Sequence, residues 1–366
     1  MALCFIGPFD GDCLTNKAGR LAPDGRSLTV AVRVSAPAGH DVTVAGVPAV
    51  PAGDGTFCAD VRLTGYENRL TALDRTSGER AEATVFWLPR ATNCYRLSVD
   101  DNIWFLQNIA KHQSEYKSLF DDPYLALFYD VHERYGTKVH FNIYYECPEF
   151  GGFCLTDMPN RYRAEWRANA DWLHLSFHAR ANLPDRPYLT ADYGTVRRDA
   201  ETVMREILRF AGEEVLPAET TLHWGAATRE GVRALHDVGV RTLAGYLRLD
   251  QRGDPLVSYY LSPEEVLRTD RYGIFYDRRE DVTFSKIDTV LNSGDCRGNV
   301  ERLEQKYAEH PEKGFWEFLI HEEYFYPFYQ NYLPDFRERV LAAVAWAEQK
   351  KLTPTFLGQT HGAWTF

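Results

Sequence analysis

The first 91 residues consist of short segments in which apolar and polar residues alternate, separated by glycine, proline and other turn residues. Alternation with a period of two indicates strands that bury one face and expose the other. A spacing of roughly ten residues between such segments is typical of a small β-sandwich. The segments are Ser27–Val34, Asp41–Ala45, Gly55–Leu63, Asn68–Leu73 and Glu82–Leu88. We therefore predict an all-β sandwich over residues 1–91.

After Pro89 strand-like segments alternate with helix-like segments. Asp122 and Pro123 carry the pattern of a helix start, and Gly136 that of a helix end. The predicted strands are Tyr95–Val99, Lys138–Tyr145, Asp171–His178, Thr220–Trp224, Arg241–Leu247, Gly273–Asp277, Phe315–His321 and Pro354–Leu357. The predicted helices include Asn102–Gln113, Thr195–Phe210, Arg229–Val238, Asn299–Glu309 and Asp335–Lys350, with a capping box at Ser262–Glu265. Seven or eight such units predict an α/β fold, a (β/α) barrel over residues 92–366.

Polar residues that can bind metals or transfer protons fall at the ends of several predicted strands. They are Asp100 and Asp101 after the first strand, His178 after the third, His223 near the end of the fourth and His321 at a late strand. In a parallel barrel the C-terminal strand ends share one rim, where active sites are built. A carboxylate pair and three histidines on one rim predict a metal site or an acid/base site. Taken alone, Asp101 could instead cap the helix that follows it.

Composition narrows the class of protein. The chain has 366 residues, of which 45% are hydrophobic and 25% charged, as in globular proteins with one large domain or two. The net charge is −11 and no basic patch is present, so we do not expect the protein to bind nucleic acid. The seven scattered cysteines include no Cys-x-x-Cys pair, which indicates free thiols rather than a cysteine zinc site.

The same composition bears on location. No apolar run approaches the roughly 18 residues of a membrane helix, so we expect no membrane span. The N-terminus lacks the charged and apolar regions of a signal peptide, and we therefore expect a cytoplasmic protein. A secreted protein trimmed of its signal would show the same pattern. The oligomeric state is left open.

Three features together resemble the polysaccharide deacetylase family, also called NodB-homology domains. They are the Asp100-Asp101 pair after a buried strand, the spacing His174-Leu-Ser-Phe-His178 on the third strand, and His321 at a late strand end. The resemblance covers about residues 92–360 and implies a distorted (β/α) barrel. In the first domain, Ala45-Gly-Val-Pro and Asp54-Gly-Thr-Phe look like bacterial immunoglobulin-like modules. The chain looks closest to uncharacterised deacetylase-like proteins with such an N-terminal module.

This resemblance implies a role for each matching residue. Asp100 would be the general base, and Asp101 a metal ligand together with His174 and His178. His321 matches the general acid. The implied reaction is hydrolysis of an N- or O-acetyl group on a carbohydrate, with a divalent metal, usually zinc, as cofactor.

The spacing of the two paired histidines leaves the ligand set open. Residues four apart in a strand are separated by about 13 Å, whereas two nitrogens bound to one zinc lie within roughly 4 Å of each other. Either the segment bends after Trp172, or His174 lies inside the barrel and only His178 reaches the rim. The strand-like pattern favours the second case, and His223 is then the candidate for the missing ligand.

Residues beside this rim are candidates for binding a substrate. They are Arg180, Arg186, Tyr188, Trp224, Glu322 and Tyr324. The two arginines could bind an acidic or hydroxylated substrate, or be solvated only. The aromatic stretch after His321 could pack in the core or stack on a sugar ring.

Two other functions also fit the sequence. One is a non-catalytic glycan-binding protein on a degenerate deacetylase barrel. The other is a metal-free barrel glycosidase, in which carboxylates such as Asp100 and Glu322 perform acid/base catalysis.

Overall fold

The computed structural model describes residues 2–53, 55–149 and 151–360. The strands of its N-terminal part are β1 Cys4–Gly7, β2 Cys13–Leu14, β3 Arg20–Leu21, β4 Leu28–Ser35, β5 Val42–Val44, β6 Val47–Pro48, β7 Val50–Gly53, β8 Thr56–Leu63, β9 Glu67–Asp74 and β10 Arg80–Trp87. They form two sheets, with the orders β1-β4-β8-β7 (β3 lies beside β4) and β2-β10-β9-β5-β6. The apolar positions of the alternating pattern, such as Val30, Val61 and Val85, pack in a common core.

Each of the five segments predicted from alternation overlaps an observed strand of this region. The agreement follows from local chemistry, because the period of two already encodes which side chains meet in the core. The immunoglobulin-like character of the two sheets and the domain boundary after residue 91 stay predictions.

The rest of the described chain alternates strands and helices. The strands are β11 Cys94–Asn102, β12 Val139–Tyr144, β13 Glu146–Cys147, β14 Phe153–Cys154, β15 Leu173–Ala179, β16 Glu219–Thr221, β17 Thr242–Gly245, β18 Arg248–Leu249, β19 Pro255–Leu256, β20 Ile274–Asp277, β21 Val282–Lys286, β22 Thr289–Val290, β23 Phe315–His321 and β24 Thr353–Pro354. The helices are α1 Trp104–Lys111, α2 Pro123–Tyr135, α3 Arg163–Ala168, α4 Tyr193–Phe210, α5 Arg229–Asp237, α6 Pro263–Tyr272, α7 Cys296–Glu309 and α8 Phe336–Gln349. Asp122 caps α2, and Gly136 ends it in the left-handed conformation.

The two larger sheets in this part of the molecule consist mainly of parallel strands. One has the order β15-β12-β11-β23-β22, with β24 beside β11, and the other has the order β16-β17-β21-β20. Across the described residues no strand pairing joins the two sheets. At the seam between β15 and β16, side chains make the link instead: the hydroxyl of Thr220 donates to the carbonyl of Phe177. The mixed α/β class with parallel strands is confirmed, whereas a closed ring of seven or eight strands is not shown.

The central strands are buried on both faces, as expected for parallel strands covered by helices. All nine residues of β11 are buried, and α4 packs against both β15 and α5. None of the helices in the described ranges combines the length and the apolar character needed to cross a bilayer. Strand β21, which pairs antiparallel with β20, was missed by the sequence analysis.

Candidate metal centre

Asp100 and Asp101 lie at the end of β11, where the strand departs from regular geometry. The register with β12 shifts between Val99 and Asn102, and Asp101 has a φ of 63°, in the left-handed region that aspartate tolerates better than most residues. Neighbouring side chains of a regular strand point to opposite faces, but a bulge changes this direction. As a result, both carboxylates line the same cleft, whose volume is about 440 Å³.

Asp101 meets two histidines in this cleft. Its Oδ1 lies 3.0 Å from Nε2 of His178 and 3.1 Å from Nδ1 of His223. The two nitrogens are 3.2 Å apart. His178 belongs to β15, and His223 lies in the short 3-10 turn after β16. Within the described ranges this is the group of His, Cys, Asp and Glu side chains whose ligand atoms lie close enough to hold one metal ion.

Hydrogen bonds on the far side of each ring fix the position of its proton. Nδ1 of His178 faces the carbonyl of Thr221, and Nε2 of His223 lies 3.1 Å from the carbonyl of Asn182. Because a carbonyl oxygen can only accept, these nitrogens donate; in the neutral form of each ring the other nitrogen then directs a lone pair at Asp101. Burial lowers the pKa of His178, which favours its neutral form. A cation between the three atoms would relieve the repulsion of their lone pairs.

These residues fit a divalent ion such as zinc. Imidazole nitrogens and a carboxylate oxygen are usual zinc ligands, and ligand histidines commonly donate their second N–H to a carbonyl. Burial opposes ionisation of Asp101, but the polar groups around its carboxylate, with His178 and His223 first among them, hold the pKa of its carboxyl well below the usual value. Three protein ligands beside an open cleft are the arrangement of catalytic zinc sites, which keep one position for water or substrate.

Asp100 has a different environment from its neighbour. Nδ2 of Asn142 donates to its Oδ1 at 2.6 Å, and the hydroxyl of Ser98 donates to the same atom at 3.3 Å. Burial raises the pKa of Asp100 well above the usual value, and the charge of Asp101 adds to the effect. Two adjacent carboxylates with pKa values shifted in opposite directions are suited to different tasks: Asp101 stays an anion, and Asp100 can accept a proton.

His321 reaches the same cleft from the neighbouring strand. It ends β23 and is the register partner of Asp100 on β11. Nδ1 of His321 lies 2.8 Å from Oδ1 of Asn292, and its Nε2 lies 3.9 Å from Oδ2 of Asp101. With Nδ1 donating to the amide oxygen, Nε2 is the atom that can exchange a proton in the cleft. Burial lowers the pKa of His321.

The structure therefore brings most of the predicted chemical residues together. The set that lines one cleft is Asp100, Asp101, His178, His223 and His321. Of the two candidates for the third ligand, His223 contacts Asp101, whereas His174 does not join this group. β15 continues as a strand from Leu173 to Ala179, and the ring of His174 stacks on Phe356 with centroids 3.6 Å apart.

Two of the predicted substrate residues form walls of the cleft. Trp224 and Tyr324 both line it, and Trp224 is 41% exposed. The guanidinium of Arg186 lies 5.3 Å from the centre of the Trp224 ring. Arg186 therefore supports this wall rather than facing the cleft.

Two other predicted substrate residues do not line the cleft. Arg180 pairs with Glu146, with 2.9 Å between Nε and Oε1. Tyr188 is buried, and its hydroxyl donates to Asp199 at 3.2 Å. The lining of the cleft in the described residues contains no lysine or arginine. Binding of an acidic or hydroxylated substrate by Arg180 and Arg186 stays a prediction.

Glu322 is directed away from the cleft and caps a helix. Its carboxylate accepts hydrogen bonds from the backbone N–H groups of Ile103, Trp104 and Phe105 at 2.5, 2.9 and 2.6 Å. These are the first amides of α1, whose own N-cap residue Ile103 has no capping side chain. The expected roles of Glu322 in substrate binding or metal-free acid/base catalysis do not fit this position.

We expect Glu322→Gln to destabilise the fold. The amide would face three backbone donors with one acceptor oxygen only, and a buried unsatisfied group costs about 1–3 kcal/mol. Urea unfolding of the metal-free protein, compared with the exposed-residue control Glu301→Gln, measures this loss. A Glu322→Gln variant as stable as the control would contradict the capping role.

Sequence reasoning missed three residues near the ligands: Tyr144, Asn182 and Glu323. Asn182 and Glu323 line the cleft, where Nδ2 of Asn182 donates to Oε1 of Glu323 at 2.9 Å. Burial raises the pKa of Glu323 to about 7. Tyr144 donates to Asp101. Tyr144 ends β12 and Glu323 follows shortly after the end of β23. Their position at strand ends was the sequence feature that could have identified them as site residues.

Comparisons with known proteins do not assign this chain to a family. No protein-family model and no curated protein matches the chain. Similar solved structures include the peptidoglycan N-acetylglucosamine deacetylase Bc1960, with 10% identity and a TM-score of 0.39 over 75% of this chain and 90% of that one. The carbohydrate deacetylase Agd3 has 8% identity and a TM-score of 0.35. That match covers 81% of this chain and 64% of the Agd3 chain, which is less than two thirds. With TM-scores this low, the function has to be inferred from the site itself.

Proposed function

We propose that this protein is a metal-dependent hydrolase that removes acetyl groups from a carbohydrate. The observation that carries the proposal is the pairing of His178 and His223: each donates one ring N–H to a backbone carbonyl and directs its other nitrogen at Asp101. A divalent ion held by these atoms supplies Lewis acidity, which polarises a carbonyl and activates water near neutral pH. These three residues would hold the ion.

Two residues beside the candidate ligands, Asp100 and His321, would transfer the protons. Asp100, oriented by Asn142 and Ser98, would take a proton from the attacking water. Nε2 of His321 would donate a proton to the leaving amine or alcohol. Because Asp100 and His321 are register partners on adjacent parallel strands, the sheet itself fixes their separation.

The rest of the cleft supports an acetylated sugar as substrate. Ile287 and Leu319 line the cleft and belong to a small apolar cluster with Ala244, a suitable environment for a methyl group. Trp224 and Tyr324 provide aromatic faces on which a sugar ring can stack. A cleft with apolar and aromatic walls and a few convergent polar groups is the usual form of a small-molecule site.

Metal analysis and acetate release test the proposal together. Purified full-length protein, loaded with zinc and freed of excess, should retain zinc by elemental analysis. It should release acetate from N- or O-acetylated sugar oligomers, and chelation should remove this activity until zinc is restored. Protein that binds no divalent metal after loading would overturn the proposal. Sugar binding by the zinc-loaded protein without any acetate release would favour the glycan-binding alternative.

A pair of substitutions separates the two histidines that compete for the third ligand position. We expect His223→Gln to lose zinc affinity and activity, because its Nδ1 contacts Asp101 at 3.1 Å. We expect His174→Gln to retain both, because its ring stacks on Phe356 outside the ligand group. Zinc competition titrations on both variants make the measurement, and loss of zinc from the His174 variant alone would reverse the assignment.

A further inference from the structure

Tyr144 occupies a position behind the metal ligands. It ends β12, the strand next to β11, and its side chain is almost completely buried. Its ring lies beside those of His178 and His223, with centroid separations of 5.2 and 5.3 Å. Although Tyr144 touches this group, it is not among the residues that line the cleft. It therefore contacts the candidate ligands without being part of the cleft lining.

The hydroxyl of Tyr144 has one hydrogen and several acceptors around it. It donates to Oδ1 of Asp101, while Nδ1 of His223 lies 3.0 Å away and Oδ1 of Asn182 lies 3.2 Å away. Nε2 of His223 already donates to a carbonyl, so Nδ1 is an acceptor. Among these acceptors the carboxylate carries the charge, and charge-assisted hydrogen bonds are the stronger ones. The single hydrogen is therefore directed at Asp101.

Asp101 needs such a partner because of its backbone. It stands in the left-handed conformation inside a bulge, so the ladder of the sheet does not by itself set the direction of its side chain. Across the described chain, the groups in hydrogen-bond contact with its carboxylate are the two histidine rings and the Tyr144 hydroxyl. In the neutral rings that bind a metal, the nitrogens that face Asp101 carry lone pairs, which leaves Tyr144 as the donor that holds the carboxylate in place.

We infer that Tyr144 is a positioning residue of the metal centre, whose hydroxyl orients Asp101 for metal binding. The inference rests on the proposed function, since it assumes that Asp101 binds a metal. A carboxylate oxygen has two lone pairs. Donation from Tyr144 occupies one lone pair of Oδ1 and leaves the other directed at the histidines. Hydrogen-bond partners of this kind commonly fix the orientation of ligand carboxylates.

Removing the hydroxyl tests the inference. We expect Tyr144→Phe to lower zinc affinity about 10–100-fold, the usual effect of losing an outer-shell partner, in a competition titration of the full chain against a chromophoric chelator. Tyr95→Phe is the matched control, because Tyr95 is equally buried at the other end of β11 and bonds Thr137 at 2.8 Å. The control should bind zinc like the wild type. With zinc in excess, Tyr144→Phe should keep the KM for the sugar and show a lower kcat.

The outcomes separate this inference from the proposed function. Wild-type protein that binds no zinc would refute the proposed function itself. Wild-type and Tyr144→Phe proteins that bind zinc with equal affinity would overturn only the role of Tyr144. Thermal unfolding of the metal-free proteins checks that the Phe variant is folded. Should it fail to fold, Tyr144→Met supplies a second hydroxyl-free side chain, for which the same loss of zinc affinity is expected.

Discussion

The Asp100→Asn variant should bind zinc as tightly as the wild type and yet hydrolyse acetylated sugars about 10²–10⁴-fold more slowly, the usual contribution of a general base. The amide keeps the size of the side chain and its contact with Asn142, but it cannot accept the proton of the attacking water. Its neighbour Asp101 still meets the histidines. Zinc titration and kcat/KM for acetate release, measured on the same protein, give both quantities.

The matched control is another buried carboxylate with a raised pKa outside the cleft. Asp199 is buried, and burial raises the pKa of its carboxyl; its partner is the hydroxyl of Tyr188. Asp199→Asn should therefore keep its rate of acetate release. If Asp100→Asn retained the full wild-type rate, Asp100 would not be the base, and the order of roles in the Asp100-Asp101 pair would have to be reversed or abandoned.

The Asp101→Asn variant should lose zinc and, with it, hydrolysis. Asparagine adopts the left-handed conformation at least as readily as aspartate, so the bulge in β11 should persist. The substitution removes the negative charge that lies 3.0 Å from His178 and 3.1 Å from His223. Because a ligand itself is altered, the loss of affinity should exceed the roughly 10–100-fold typical of outer-shell substitutions.

Zinc competition and acetate release measure these two losses. The thermal midpoint of the metal-free Asp101→Asn protein should stay close to that of the metal-free wild type, because the fold around the bulge is retained. An Asn variant with wild-type zinc stoichiometry and wild-type activity would show that Asp101 is not a ligand. It would refute the proposal that the ion is held by Asp101, His178 and His223.

Elements of the fold that depend on local chemistry could be predicted from the sequence. Asp122 and Gly136 mark the ends of α2, and the structure places them there. The capping box at Ser262 opens α6 in the same way. The predicted barrel is not shown as a closed ring of strands, and the sequence could not decide this, because strand pairing between distant segments has no local signature. The short strand β21, the antiparallel partner of β20, was also missed.

The candidate site could be predicted as far as it follows from strand ends. Asp100, Asp101, His178 and His321 share a cleft because parallel strands end on the same side. The choice between His174 and His223 required knowing that β15 stays extended. The opposite directions of Glu322 and Glu323 depend on a 3-10 turn just after β23, which turns one side chain to α1 and the next to the cleft.

The position of the candidate metal centre at the seam between the two sheets has a consequence for stability. Asp101 and His178 stand on the six-stranded sheet, whereas His223 follows the last residue of β16 in the other sheet. An ion held by all three residues would link the two sheets at a place where, in the described residues, no backbone hydrogen bonds between strands join them. Binding to the folded state alone stabilises it in proportion to the logarithm of the free metal concentration. Removal of the metal would then destabilise the contact between the two sheets first. The residues of the cleft would lose their arrangement at the same time as the ion.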